Sequence, residues 1–261
     1  MVRIGGWVAA SCILSVGMAC FLWWQVTSSV KEPLLTENRP TATILPGTQK
    51  AILVTGEGKT VNLNPETADV EIGEGVKAKN SNHGLIYSDT LTAGIEDTEN
   101  QLIVPRGGEY AIVLSDGTRV WLNSASELKY PVHFAGDMRR VYLKGEAYFD
   151  VTKKKKTPFI VRTDKYDIEV LGTQFDVDAY PDQTAFETTL MKGSVKVTSQ
   201  HFPEQTITLK PHHKAYVKDG QLAVTKVNDF TPYRWKEGLI CFKDEPFQTI
   251  MEDFEKYYGI R

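Results

Sequence analysis

Between Ile103 and Tyr180 the chain runs in short apolar-polar alternations, most of them closed off by a Gly, Asp or Pro. A period of two puts successive side chains on opposite faces of a strand and leaves no apolar stripe for a helix, so this stretch reads as paired β-strands with tight turns. The clearest unit is a hairpin: Ala111-Ile-Val-Leu114 and Arg119-Val-Trp-Leu122 flank Asp116-Gly117, a dipeptide that supplies positive φ. An earlier stretch repeats the plan. Pro46, Leu53-Val54, Glu57-Gly58, Val61 and Leu63-Asn64 match Pro105, Ile112-Val113, Asp116-Gly117, Val120 and Leu122-Asn123 at one constant offset without a gap. Repetition of a β unit predicts stacked hairpins.

Further strands are predicted at Arg140–Leu143, Ala147–Val151, Phe159–Thr163, Asp167–Leu171, Phe175–Ala179, Thr188–Met191, Ser194–Thr198, Thr206–Leu209, Lys214–Val217 and Leu222–Val227. Many short strands at this spacing predict a mainly β fold, an all-β sandwich or a twisted β-solenoid of short antiparallel strands. The run Lys153–Lys156 lies between two of them and reads as a solvated loop. Near the end the period changes. Asp244 is a candidate N-cap, Pro246 suits a first helical turn, and Phe247, Ile250, Met251, Phe254, Tyr257 and Tyr258 share one face before Gly259. That face is expected to pack on the chain, with Leu239–Phe242 as a preceding strand. The chain stops at Ile260-Arg261, where a second strand of a small α/β domain is expected, so part of the face is expected to stay uncovered.

At the other end, Ile4 to Val26 holds no charged residue. At about 1.5 Å per residue such a helix spans the roughly 30 Å hydrocarbon core. Trp7 and Trp23-Trp24 sit where interfacial aromatics belong, and Arg3 places the short end in the cytoplasm. A cleaved signal peptide ending near Val26-Thr27-Ser28 is the competing reading, but the apolar run exceeds the roughly 7–15 residues of a signal core. Residues 1–26 are therefore expected to be a transmembrane anchor, and 27–43, with Pro33 and Pro40, a tether.

Net charge of −3 gives no basic field for nucleic acid. Of three cysteines, Cys12 and Cys20 fall in the apolar run and Cys241 stands alone, so neither a disulfide framework nor a cysteine zinc site is expected. Gly56-Glu-Gly-Lys-Thr60 imitates the end of a phosphate loop but sits in a predicted hairpin, with Leu53 where the first glycine belongs. Ser115 and Ser124 have no histidine in a nucleophile context, and His212-His213 would point to opposite faces of a strand. Glu146, Asp150, Asp176 and Asp178 are the candidates for a carboxylate pair. As acids on strands, they are expected on a solvent face. No catalytic, cofactor-binding or metal-binding residue is assigned, and binding residues are left unassigned; no enzyme activity is expected.

Val104-Pro-Arg-Gly-Gly-Glu-Tyr110, Ser115-Asp-Gly-Thr-Arg-Val-Trp-Leu-Asn123, Leu143-Lys-Gly-Glu-Ala-Tyr-Phe-Asp-Val151, Pro158-Phe-Ile-Val161 and Val170-Leu-Gly-Thr-Gln-Phe-Asp-Val177 together resemble the FecR family of transmembrane anti-sigma factors. The likeness continues through Gly193-Ser-Val-Lys-Val197 and Trp235-Lys-Glu-Gly238 into Phe242–Arg261. It implies an all-β periplasmic FecR-like domain over 44–229 and the start of a truncated C-terminal α/β signalling domain over 230–261. The protein would sit in the inner (cytoplasmic) membrane as a single-pass protein, amino terminus cytoplasmic and bulk periplasmic. It would relay a signal from a TonB-dependent outer-membrane transducer to an extracytoplasmic-function sigma factor, with no cofactor and no nucleic acid. Only Met1–Arg3 precede the apolar run, so the cytoplasmic sigma-binding segment of the family is expected to be missing. The alternative is an envelope glycan-binding module or glycan-active enzyme on a β-solenoid scaffold.

Overall fold

The structure is a computed structural model. It describes residues 48–259 except 68, 74–75, 82–83, 88–97, 182–185 and 243–245, and also Met18, Phe21, Trp23 and Trp24. The chain divides into two compact units, Met1–Thr43 and Ile44–Arg261. In the first, the four described residues are helical and exposed. The predicted transmembrane span and tether otherwise lie outside the described residues, and among those described no helix is long and apolar enough to cross a membrane.

The second unit is mainly β. Among the described residues, nineteen strands join into one nearly closed, barrel-like sheet. One run of neighbours contains Thr60–Leu63, Ala51–Val54, Glu99–Val104, Ser126–Pro131, the start of Arg139–Asp150, Phe159–Arg162, Tyr166–Val170, Val195–Ser199 and Thr206–Leu209. The other contains Val70–Gly73, Val76–Ser81, Gly84–Ile86, Gly108–Val113, Arg119–Leu122, the end of Arg139–Asp150, Gln174–Ala179, Glu187–Lys192, His213–Lys218 and Gln221–Lys226. The 12-residue strand Arg139–Asp150 belongs to both. The predicted strands Arg140–Leu143 and Ala147–Val151 are thus one strand. Gly145, at φ 93°, bends it and lets it change neighbours between them.

Alternation drives this arrangement. Leu102, Leu128, Val141, Phe159, Ile168 and Val197 come from one run and Ile112, Leu122, Phe149, Phe175, Val177 and Leu190 from the other, all fully or almost fully buried in one core. Phe149 stacks on Phe175 with ring centroids 5.1 Å apart. Burying each such side chain contributes about 1.5–3 kcal/mol.

Both repeated turns close with the same bonds. Gly58 N donates to Thr55 O at 2.8 Å and Gly117 N to Leu114 O at 2.9 Å, with φ of 81° and 83° at the glycines. The two hairpins are not hydrogen-bonded to each other, however. The first pairs with Glu99–Val104 and the second with Gly84–Ile86 and Arg139–Asp150, in opposite runs. Nor are all ladders antiparallel. Arg139–Asp150 pairs in parallel with Phe159–Arg162, and Gly108–Val113 does so with both Thr48–Gln49 and Gly84–Ile86. The exposed Lys153–Lys156 loop makes the crossover that the first of these requires.

Residues 230–259 leave the sheet. A 3-10 helix, Thr231–Glu237, ends at Gly238 in the left-handed conformation, and an α-helix, Phe247–Tyr258, ends the same way at Gly259. Leu239–Phe242 is not a strand, contrary to expectation. Phe242 instead contributes its ring, 5.5 Å from that of Phe254. Pro246 is the N-cap, while the predicted cap Asp244 lies outside the described residues. Tyr257 is buried and Phe247 is 76% exposed, so part of the apolar face is uncovered, as expected.

Candidate functional site

The strand alternation that sends Ala147, Phe149, Phe175 and Val177 inward sends Glu146, Tyr148, Asp176 and Asp178 to the outer face. Register makes Glu146 the direct cross-strand partner of Asp178, and Tyr148 that of Asp176. Like charges opposite one another on a sheet repel. On an open face water would screen them, which is the arrangement the acids' positions on strands had predicted. The structure corrects this reading. Asp176 is 3% exposed, Glu146 and Asp178 are half-buried, and one carboxyl oxygen each of Asp176 and Asp178 is out of reach of solvent without a hydrogen-bond partner. Asp150 is also half-buried, opposite Arg119 and Gln174.

The cover is the pair of helices Thr231–Glu237 and Phe247–Tyr258. From the 3-10 helix, Tyr233 OH accepts from Thr189 Oγ1 at 2.8 Å, and Lys236 Nζ lies 4.8 Å from the Tyr148 ring centre and 5.8 Å from that of Trp121. The buried Trp235 faces Asp176, although its indole N–H makes no hydrogen bond of normal geometry. From the α-helix, Lys256 Nζ sits 4.4 Å over the Tyr180 ring and 2.9 Å from Asp253. The Lys256 carbonyl accepts from Gly107 N at 2.8 Å and from Ser124 Oγ. Ser124 is therefore a seat for the helix, and Tyr180 OH donates to its carbonyl at 2.7 Å. A side chain at Gly107 would meet Gly259 N and Tyr258 at 3.3 Å, so the glycine permits the close approach.

Burial sets the acids' protonation. Loss of hydration pushes Asp176 well above the ordinary carboxylate range, and the neighbouring Glu146 and Asp178 add to it. Glu146 is raised to about 8, mostly by burial and then by Asp178, against the pull of the Asn123 amide, which donates at 2.7 Å. Asp178 is raised to about 7 by burial against the opposing pull of Lys256 and a backbone hydrogen bond from Tyr180. Burial thus favours the protonated form of all three carboxyls. Glycoside hydrolysis needs two carboxyls facing each other across an accessible bond. Here they share one face under Tyr233, Trp235 and Lys256. Among the described residues no group of three His, Cys, Asp or Glu is placed to hold a metal ion.

The remaining candidates are dispersed. Gly56–Thr60 forms the first hairpin turn, Ser115 is buried, His212 is exposed at φ 65°, and His213 is half-buried. A cavity of about 500 Å³ between Tyr166, Tyr180, Phe186 and Phe202 carries only exposed charged groups at its rim, Asp164, Lys165 and Asp219. Asn123, Tyr233, Trp235 and Lys256 are not recognisable from the sequence as neighbours of the acids, because they come from distant positions in the chain.

Comparison with known proteins agrees with this fold. The family model described as FecR protein matches residues 100–196, a span that holds the hairpin Gly108–Leu122 and all three acids. Two crystal structures of a candidate anti-sigma factor from Parabacteroides distasonis are similar. One has 31% sequence identity and a TM-score of 0.58, covering 62% of this chain and 75% of that one. The other has 31% identity and a TM-score of 0.57, covering 61% and 74%. No curated protein matches. With nearly a third of residues identical over most of a solved relative and the family pattern across the central strands, the chain belongs to the FecR family of anti-sigma factors.

Proposed function

We propose that this anti-sigma regulator is membrane-anchored and relays a signal from a TonB-dependent outer-membrane transducer to an extracytoplasmic-function sigma factor. Residues 1–26 would anchor it in the inner membrane and 27–43 would tether the periplasmic β domain, 44–229. Residues 230–261 would begin the domain that receives the transducer. The observation that carries this reading is the 31% identity to a candidate anti-sigma factor over 62% of the chain. The β unit supports it physically. Its distinctive residues build turns, a core and a covered outer face, which suits recognition through secondary-structure surfaces. The test is titration of the full chain, in detergent micelles, with the signalling domain of a candidate TonB-dependent transducer. Saturable 1:1 binding is expected; absence of binding by the folded chain contradicts the relay.

A further inference from the structure

We propose that Glu146, Asp176 and Asp178 form a proton-operated latch: while they hold protons, the helices Thr231–Glu237 and Phe247–Tyr258 stay seated on the strands, and removing those protons drives the helices off. Three carboxyls crowd one face. Glu146 and Asp178 are cross-strand partners, and Asp176 lies two residues before Asp178 on the same side. The neighbouring strand adds Glu187, already held by Lys214 at 2.8 Å. From the α-helix the facing groups are Lys256 and Asp253, paired with each other at 2.9 Å. From the 3-10 helix they are Tyr233, Arg234, Lys236 and Glu237, the last bound to both Arg234 and Lys236. Tyr148 and Tyr180 complete the surroundings as neutral groups. Full ionisation would therefore set three carboxylates against cations that other carboxylates already engage, Lys256 by Asp253 and Arg234 and Lys236 by Glu237.

Geometry makes that state costly only while the cover is in place. Asp176 and Asp178 each keep an oxygen with no hydrogen-bond donor and no access to solvent. An ionised carboxyl there loses hydration without compensation. Lifting the two helices returns all three to water. The sign follows. The seated state holds protons that the lifted state, with carboxyls near their ordinary values of about 4, releases. Seating is fully stabilised below about pH 4 and weakens as pH rises through the folded values of about 7 and 8 for Asp178 and Glu146. Each proton released raises the opening constant about tenfold per pH unit. The latch is a property of the fold and does not depend on the proposed relay.

Hydrogen exchange of the full chain in detergent micelles, corrected for intrinsic rates, tests it. Peptides from 231–237 and 247–258 are expected to lose at least tenfold protection between pH 6 and pH 8, while Phe159–Arg162 stays protected. The double variant Glu146→Gln with Asp178→Asn is expected to show a pH dependence at least threefold smaller. An equal loss in the double variant, or a flat wild-type profile, overturns the latch. Should that variant fail to fold, carbon-13 titration of the wild-type carboxyls decides. Midpoints above pH 6 for Glu146 and Asp178 support the latch, and midpoints below pH 6 overturn it.

Discussion

Replacing Asp116 by alanine is expected to destabilise the β unit by about 3–5 kcal/mol, the scale for removing one partner of a buried ion pair. Asp116 and Arg139 are each 1% exposed and meet at 2.6 Å. Arg139 also donates to Thr152 O at 2.9 Å and to Thr157 O at 3.1 and 2.9 Å, and its guanidinium lies 5.4 Å from the Phe159 ring centre. Those carbonyls satisfy donors, yet none cancels the charge. Asp116 further accepts from Thr118 N at 2.9 Å and Thr118 Oγ1 at 2.7 Å, so the alanine also strips the turn of its internal bonds. Chemical denaturation of Asp116→Ala measures the loss. Adding Arg139→Met is expected to recover part of it, because a matched apolar pair replaces a buried ion pair at little cost. A loss under 1 kcal/mol for the single variant contradicts this account of the turn.

Alanine at Gly145 is expected to cost about 2–6 kcal/mol, combining about 1–3 for a disallowed backbone with about 1–3 for overpacking. At φ 93° the residue bends the long strand, and a Cβ would stand 2.4 Å from Ser126 Oγ, 2.7 Å from its Cα and 2.8 Å from its Cβ. Ser126 is itself buried and accepts from Glu146 N at 2.9 Å, so it has little room to retreat. Gly136 is the control. Its φ is 84° and nothing lies within 4 Å of its Cβ position, so Gly136→Ala should show the backbone cost alone. Equal denaturation midpoints for the two variants would remove the steric argument.

These two positions also show what could be read from the sequence. Asp116-Gly117 was legible as a turn, and its echo Glu57-Gly58 as a second, because turn chemistry is local. Glu57 is exposed, whereas Asp116 is buried on Arg139, a distinction that depends on a partner 23 residues away. The alternation separates Arg140–Leu143 from Ala147–Val151; in the folded chain they are one strand, continuous through a change of neighbours at Gly145. Most strands after Ile103 were recovered from their period of two. Val76–Ser81, with sequence VKAKNS, escaped notice because polar residues fill most of it. The acids were misplaced for one reason. Their pattern fixes which face they occupy, but whether that face is wet is decided by the two helices, far along the chain.

The central claim is that this protein regulates a sigma factor, and the direct measurement is transcription from the promoters of that sigma factor, with the gene for this protein deleted and then restored. The account predicts a several-fold change on deletion, reversed by the restored gene. Unchanged transcription under both inducing and non-inducing conditions would contradict it.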